Sequence, residues 1–159
     1  MKAIQLLFKT NNSSAPLIAR LMLGIVMFPH GAQKMLGWFG GYGFSGTMNS
    51  FTGAMHIPAA LAFLAILAEF AGSLGLITGL LSRVAAFGIA TNMVVAIATV
   101  HGANGFFMNW FGNQKGEGFE YHLLAIGLAL VVLIHGAGKA SLDAVIQRKL
   151  TAGKAAATT

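Results

Sequence analysis

The sequence predicts an all-α, integral membrane four-helix bundle with a short C-terminal amphipathic interfacial helix. Three observations lead there. Only 9% of the 159 residues are charged and 56% are hydrophobic, whereas a water-soluble domain carries roughly 25% charged residues because its surface faces water. Four stretches have the length and apolar character of a bilayer span, which takes about 20 residues of helix because unpaired backbone groups find no partner in lipid. Lys and Arg, finally, gather on one set of flanks.

The chain reads as a single membrane domain over 1–159, a length that suits one domain. The first span covers about 16–37, with Pro16 in the first helical turn, where its missing N–H is harmless. It is longer than the h-region of a signal peptide, about 7–15 residues, and further apolar stretches follow, so it is read as uncleaved. A Gly/aromatic loop leads to the second span, about 57–81, opened by Pro58; a tight turn near Ser82 precedes the third, about 83–101. That third span is the least hydrophobic, carrying Thr91, Asn92 and Thr99. A polar loop follows, and the fourth span covers about 119–137.

Ser141 is placed to cap a helix over about 141–150, with Leu142, Val145, Ile146 and Leu150 on one face. Such a helix suits the inner membrane surface. The tail beyond Gly153 is small and polar and is expected to be disordered.

Lys and Arg set the orientation. With the N-terminus inside, Lys2, Lys9, Arg20, Arg83, Lys139, Arg148, Lys149 and Lys154 fall on the cytoplasmic side, against Lys34 and Lys115 on the other. The expected location is the bacterial inner (plasma) membrane, multi-pass, with both ends cytoplasmic. Trp38, Tyr42, Trp110 and Tyr121 then form an aromatic belt at the outer interface. The net charge of +6 is explained by this flanking pattern rather than by nucleic-acid binding, which needs a basic patch on a polar surface. The absence of Cys removes disulfides, thiol catalysis and Cys-ligated metal centres.

Ala65, Ala68, Gly72, Gly75 and Gly79 recur at alternating three- and four-residue spacing in the second span. Small residues on one face let membrane helices approach closely, within the bundle or, as the alternative, in a homo-oligomer.

Ionisable and polar groups at membrane depth need a partner or a purpose. Glu69 lies near the middle of the second span and Asn92 about halfway along the third, while Arg20 is nearer the inner end with a side chain long enough to reach toward them. Hydrogen-bonded glue and a proton or ligand role stand about level for this group. A second group converges at the outer end. His30 and Lys34 share a helical face, Gln33 lies alongside, His101 closes the third span, and Glu120 and His122 open the fourth. Three readings stand open: ordinary interfacial residues, a small-molecule or quinone pocket, and haem or metal ligation. The last has the weakest support, because neither CxxCH nor HExxH occurs.

The order of motifs adds a resemblance. Ala19-Arg20-Leu21 with Gly24, His30-Gly31 with Lys34, Gly37-Trp38-Phe39-Gly40-Gly41, Ala68-Glu69-Phe70 and Gly79-Leu80-Leu81-Ser82-Arg83 are followed by Val100-His101, Asn104-Gly105-Phe106-Phe107, Glu120-Tyr121-His122, Gly136 to Gly138, and Ser141-Leu142-Asp143. Over about 16–145 the chain resembles the DoxX family of small bacterial four-span membrane proteins. That family is similar to the DoxD subunit of thiosulfate:quinone oxidoreductase, and some members are linked to membrane-associated oxidative-stress complexes with superoxide dismutase and a sulfurtransferase. The resemblance marks Arg20, His30, Lys34, Glu69, Arg83, His101 and Glu120 as matching positions. It implies at most a membrane oxidoreductase subunit, and the chain has no Cys for persulfide chemistry.

The leading expectation is therefore a redox-associated membrane protein that binds quinone or docks an oxidoreductase partner. A non-catalytic scaffold or binding protein is the alternative. A small-solute transporter comes third, since the paired interrupted helices that best indicate one are missing.

Overall fold

The computed structural model describes residues 2–156, with side chains described over 4–153. Seven α-helices follow one another: α1 (Lys2–Phe8), α2 (Ser14–Leu36), α3 (Gly43–Asn49), α4 (Ala59–Thr78), α5 (Ser82–Ala96), α6 (Glu120–His135) and α7 (Leu142–Ala156). Among the described residues there is no strand. A π turn, Ser50–Ala54, extends α3; a second, Ile97–His101, extends α5 and passes into a 3-10 turn, Gly102–Asn104.

α2, α4, α5 and α6 form the bundle, with α2 on α4, α4 on α5, α5 on α6 and α6 back on α2. Leu23, Met27, Leu76, Ile89, Met93 and Val132 fill its centre among small alanines. The outward faces carry Ile18, Phe87, Leu124 and Ile134, all strongly exposed. Contiguous exposed apolar surface of this kind marks contact with lipid or partner, and here it runs along helices that are themselves apolar throughout.

Two close helix approaches set the bundle's geometry. A Cβ at Gly31 of α2 would stand 2.6 Å from the Phe70 Cα of α4, and one at Gly24 would stand 3.0 Å from the Ser73 carbonyl oxygen. Along α4 the small stripe behaves as expected of a packing face, but for α5: Gly72 faces Ile89, Gly75 faces Ala85, and Ala68 lies against Gly88. Gly79 departs from that stripe. It ends α4 in a left-handed conformation (φ +70°) against Ser141 and the Arg20 guanidinium, so it turns the chain rather than packing a helix.

Three helical stretches have the length and apolar character to cross a membrane: Ser14–Leu36, Ala59–Thr78 and Ser82–Asn104. The fourth expected span differs. α6 is apolar but has 16 residues, about 24 Å of helix against a hydrocarbon core of about 30 Å. It begins within a residue of the expected start, where the backbone at Phe119 and Glu120 donates to the Gly105 and Phe106 carbonyls, and it stops where Gly136 adopts φ +79°.

The end of the bundle where α4 and α6 finish is tied by charged side chains. Arg20 donates to the carbonyls of Leu76 (2.7 Å) and Ile77 (2.8 Å) at the end of α4, and to Ala137 (2.9 Å), Lys139 (3.3 Å) and Ala140 (2.7 Å) in the segment after α6. A guanidinium offers five donors in a fixed fork, and here they satisfy carbonyls that a helix end leaves orphaned. Arg83 likewise donates to Leu133, Ile134 and Lys9 carbonyls. Asp143 accepts from the Leu81 and Ser82 backbone N–H groups (2.7 and 2.9 Å) at the start of α5, where the helix dipole favours an anion.

Ser141 caps α7 by accepting from Ala144 N–H (3.2 Å). Leu142 and Val145 are exposed, while Asp143 turns inward. The helix runs on to Ala156 instead of ending near Leu150, so the disorder expected beyond Gly153 is not seen as far as Ala156, and residues 157–159 lie outside those described. Neither α1 nor α3 was expected. α1 is too short to announce itself by periodicity, and it packs on α7 beneath the bundle.

Candidate functional site

Met27, His30 and Lys34 recur at three- and four-residue spacing on α2, so they present one stripe to the bundle interior. They line a cavity of about 340 Å³ in the loop-side half of the bundle, opposite the end held by Arg20. α4 contributes Ala65 and Glu69; α5 and its π turn contribute Asn92, Met93, Ala96, Thr99 and His101; α6 contributes Tyr121 and His122. Phe51, Met55 and Met108 come from the connecting segments. The walls are thus mostly aliphatic, aromatic and thioether, with polar groups at a few points.

At the polar centre Lys34 Nζ lies 2.6 Å from Glu69 Oε2, and the side chains are 26% and 10% exposed. Gly31 makes this possible. It brings the α2 backbone against Glu69 and Phe70, and Lys34, one turn further on, then reaches Glu69. A mid-span carboxylate thereby meets an ammonium, which removes the lone buried charge that lipid penalises heavily. Asn92 donates to the Ala65 carbonyl (2.7 Å) and joins α5 to α4 immediately beside the pair.

Three histidines stand around the rest of the void. The His101 and His122 rings lie 4.1 Å apart, centroid to centroid, and the His30 ring is 6.0 Å from that of Tyr121. His101 Nδ1 is 2.9 Å from the Glu117 carbonyl, which fixes its ring from the loop. His122 is buried, yet its Nδ1 has no hydrogen-bond partner. Buried polar atoms are nearly always partnered, and this nitrogen, like Ser82 Oγ, is an exception closed in by its neighbours. The π turn Ile97–His101 rotates His101 inward; such turns inside α-helices recur at functional sites.

The two groups of polar residues distinguished in the sequence are therefore one. Glu69 and Asn92 join His30, Lys34, His101 and His122 around the same cavity. Three expected members are elsewhere. Arg20 does not reach toward Glu69, because carbonyls at the end of the bundle away from the cavity occupy its guanidinium. Glu120 turns away into the loop, accepting from Met108 N–H (2.9 Å) and Trp110 Nε1 (3.2 Å). Gln33 donates to the Phe39 carbonyl (3.2 Å) and lines a smaller neighbouring cavity of about 290 Å³ with Tyr42, Thr47 and Ser50. Lys34 and Phe51 border both cavities.

Tyr121 and Glu117 also line the cavity, and neither stands among the site residues read from the sequence. Tyr121 was assigned to the aromatic belt; its hydroxyl instead lies 3.1 Å from Met27 Sδ inside the bundle. The spacing of Met27 from His30 was the available signal. Among the described residues no group of three or more His, Asp or Glu converges at metal-binding distance.

No curated protein and no solved structure matches the chain. The model of one family does, over residues 15–102, which spans α2 to the end of the α5 π turn and includes Arg20, His30, Gln33, Lys34, Glu69, Asn92 and His101. Glu120 and His122 lie beyond the matched residues. With more than half of its length matched, this all-helical membrane protein belongs to the DoxX family.

Proposed function

We propose that the protein is a redox-associated component of the bacterial plasma membrane, crossing it four times with both ends cytoplasmic, and that its cavity binds a quinone headgroup. The supporting observation is the convergence of His30, His101, His122, Tyr121 and the Lys34–Glu69 pair on one apolar-walled void. A quinone supplies two carbonyl oxygens that accept hydrogen bonds, on a flat ring that suits aliphatic and thioether walls. The cavity wall offers imidazole N–H groups, the Tyr121 hydroxyl and the Lys34 ammonium as donors.

A second reading, docking of an oxidoreductase partner, draws on a different feature. The loop before α6 holds Trp110 and Phe111 outward, 78% and 90% exposed, and aromatic residues of this kind anchor interfaces.

Trp110 bonds to Glu120 and is two residues from the cavity residue Met108, so in a Trp38→Phe background its fluorescence is the signal nearest the site. In nanodiscs a ubiquinone analogue with a decyl tail should quench it saturably, and His30→Ala should abolish the saturable part. Quenching that rises linearly with quinone, or is unchanged in His30→Ala, refutes the headgroup reading and leaves partner docking.

A further inference from the structure

The cavity is not closed on all sides, and the place where it opens has a distinct chemistry. From the inner end upward, α4 and α5 are zipped together by small residues: Gly75 at Ala85, Gly72 at Ile89, Ala68 at Gly88. The last tie is the Asn92 side chain on the Ala65 carbonyl. Above it no side-chain hydrogen bond joins the two helices among the described residues, and the π turn Ile97–His101 has most of its close backbone neighbours in α5 itself and in the turn that follows. Val95 and Val100 are each 45% exposed, Thr99 is exposed beside them, and all three line the cavity. Exposed residues in the lining mark the rim where a cavity opens. Thr99 suits such a border, since its hydroxyl is taken up by the Val95 carbonyl (2.8 Å). Ile57, in the turn before α4, adds a further apolar residue to the lining.

Size gives the opening a purpose. About 340 Å³ is at the small end of the roughly 300–1,000 Å³ of pockets that enclose a whole drug-sized ligand. It holds a ring-sized head and leaves no volume for a long chain. From the cleft above Asn92, we infer that the site takes a single-chain membrane amphiphile laterally from the bilayer, its head beside the Lys34–Glu69 pair and its tail leaving between α4 and α5 past Val95 and Thr99. This deepens the quinone reading and rests on it for the identity of the head; the route of the tail rests on the cleft.

The two claims separate in one experiment. Trp110 quenching in nanodiscs is titrated with the ubiquinone head bearing a decyl chain and with the same head bearing none. Val95→Phe and Thr99→Phe narrow the cleft from its outer edge, while Val94→Phe adds the same ring on an exposed neighbour that does not line the cavity. In both cleft variants the affinity ratio of tailed to tail-less head should fall by about tenfold or more, the factor that corresponds to about 1.4 kcal/mol, and Val94→Phe should leave the ratio at the wild-type value. Two cleft variants guard against one of them misfolding, and thermal stability in detergent identifies a misfolded protein. A ratio unchanged in both folded cleft variants, with saturable binding of the tail-less head retained, overturns the lateral route and leaves the headgroup reading intact. An equal fall in Val94→Phe overturns it too, because the effect would then belong to the membrane surface of α5 in general. If neither probe binds the wild-type protein saturably, the headgroup reading falls, and the route for its tail falls with it.

Discussion

Lys34 and Glu69 are mutually dependent, and a double-mutant cycle measures that dependence. In the folded protein the ammonium and carboxylate meet at 2.6 Å with side chains 26% and 10% exposed. Removing one partner of a buried pair leaves an uncompensated charge, at about 3–5 kcal/mol in well-buried cases. Lys34 retains some access to the cavity, which lowers the expected loss to about 3 kcal/mol for Lys34→Met or Glu69→Leu, the low end of that range. The double variant removes both charges and fills the site with apolar atoms. It should lie within about 1 kcal/mol of wild type, because an apolar substitute for an entire buried pair is often neutral. The assay is equilibrium unfolding in mixed micelles at increasing mole fraction of sodium dodecyl sulfate. Losses that simply add in the double variant would mean that the two residues are independent, and the joint site built on them would be wrong.

Other outcomes follow from the same structure. Gly31→Ala drives a Cβ into the backbone of α4 and should lose about 1–3 kcal/mol, whereas Gly127→Ala meets open space and should be neutral or slightly stabilising; equal effects in the micelle titration would refute the close α2–α4 approach. Arg20→Lys keeps the charge but cannot span carbonyls from two segments, so it should lose about 2 kcal/mol or more, as hydrogen bonds to charged groups are worth about 1.5–3 each; wild-type stability would refute the tie. Fusions at the C-terminus should fluoresce as green fluorescent protein and be inactive as alkaline phosphatase, since Lys and Arg favour a cytoplasmic end. An active phosphatase would overturn that orientation.

Helices were legible because their signals are local. Length, apolar content and flanking charge place α2, α4 and α5 within a few residues, and Ser141 announces α7. The site was legible only in part, because side-chain direction depends on partners far along the chain. His30 and Lys34 share a face by arithmetic, but that Lys34 meets Glu69 depends on Gly31, whose meaning appears only once α4 lies against it. Arg20 looked like a candidate for the centre of the membrane. Its direction is decided by carbonyls freed at Leu76 and Ala137, ends whose positions a hydropathy pattern blurs. Glu120 was misplaced for a similar reason: the backbone N–H of Met108 and the indole of Trp110 draw it into a loop that has no periodicity to read.

The Arg20 fork gives the bundle the mechanics of a clothes peg. One guanidinium grips the end of α4 and the chain leaving α6 together, and Asp143 pins the start of α5 to the same spot. With α2, which carries Arg20, four helices are thus joined at one end. At the other they meet across a void, where the Lys34–Glu69 pair and the Asn92 amide are side-chain ties between helices. A molecule seated in that void would press on those two ties, beneath the loop face that carries Trp110 and Phe111.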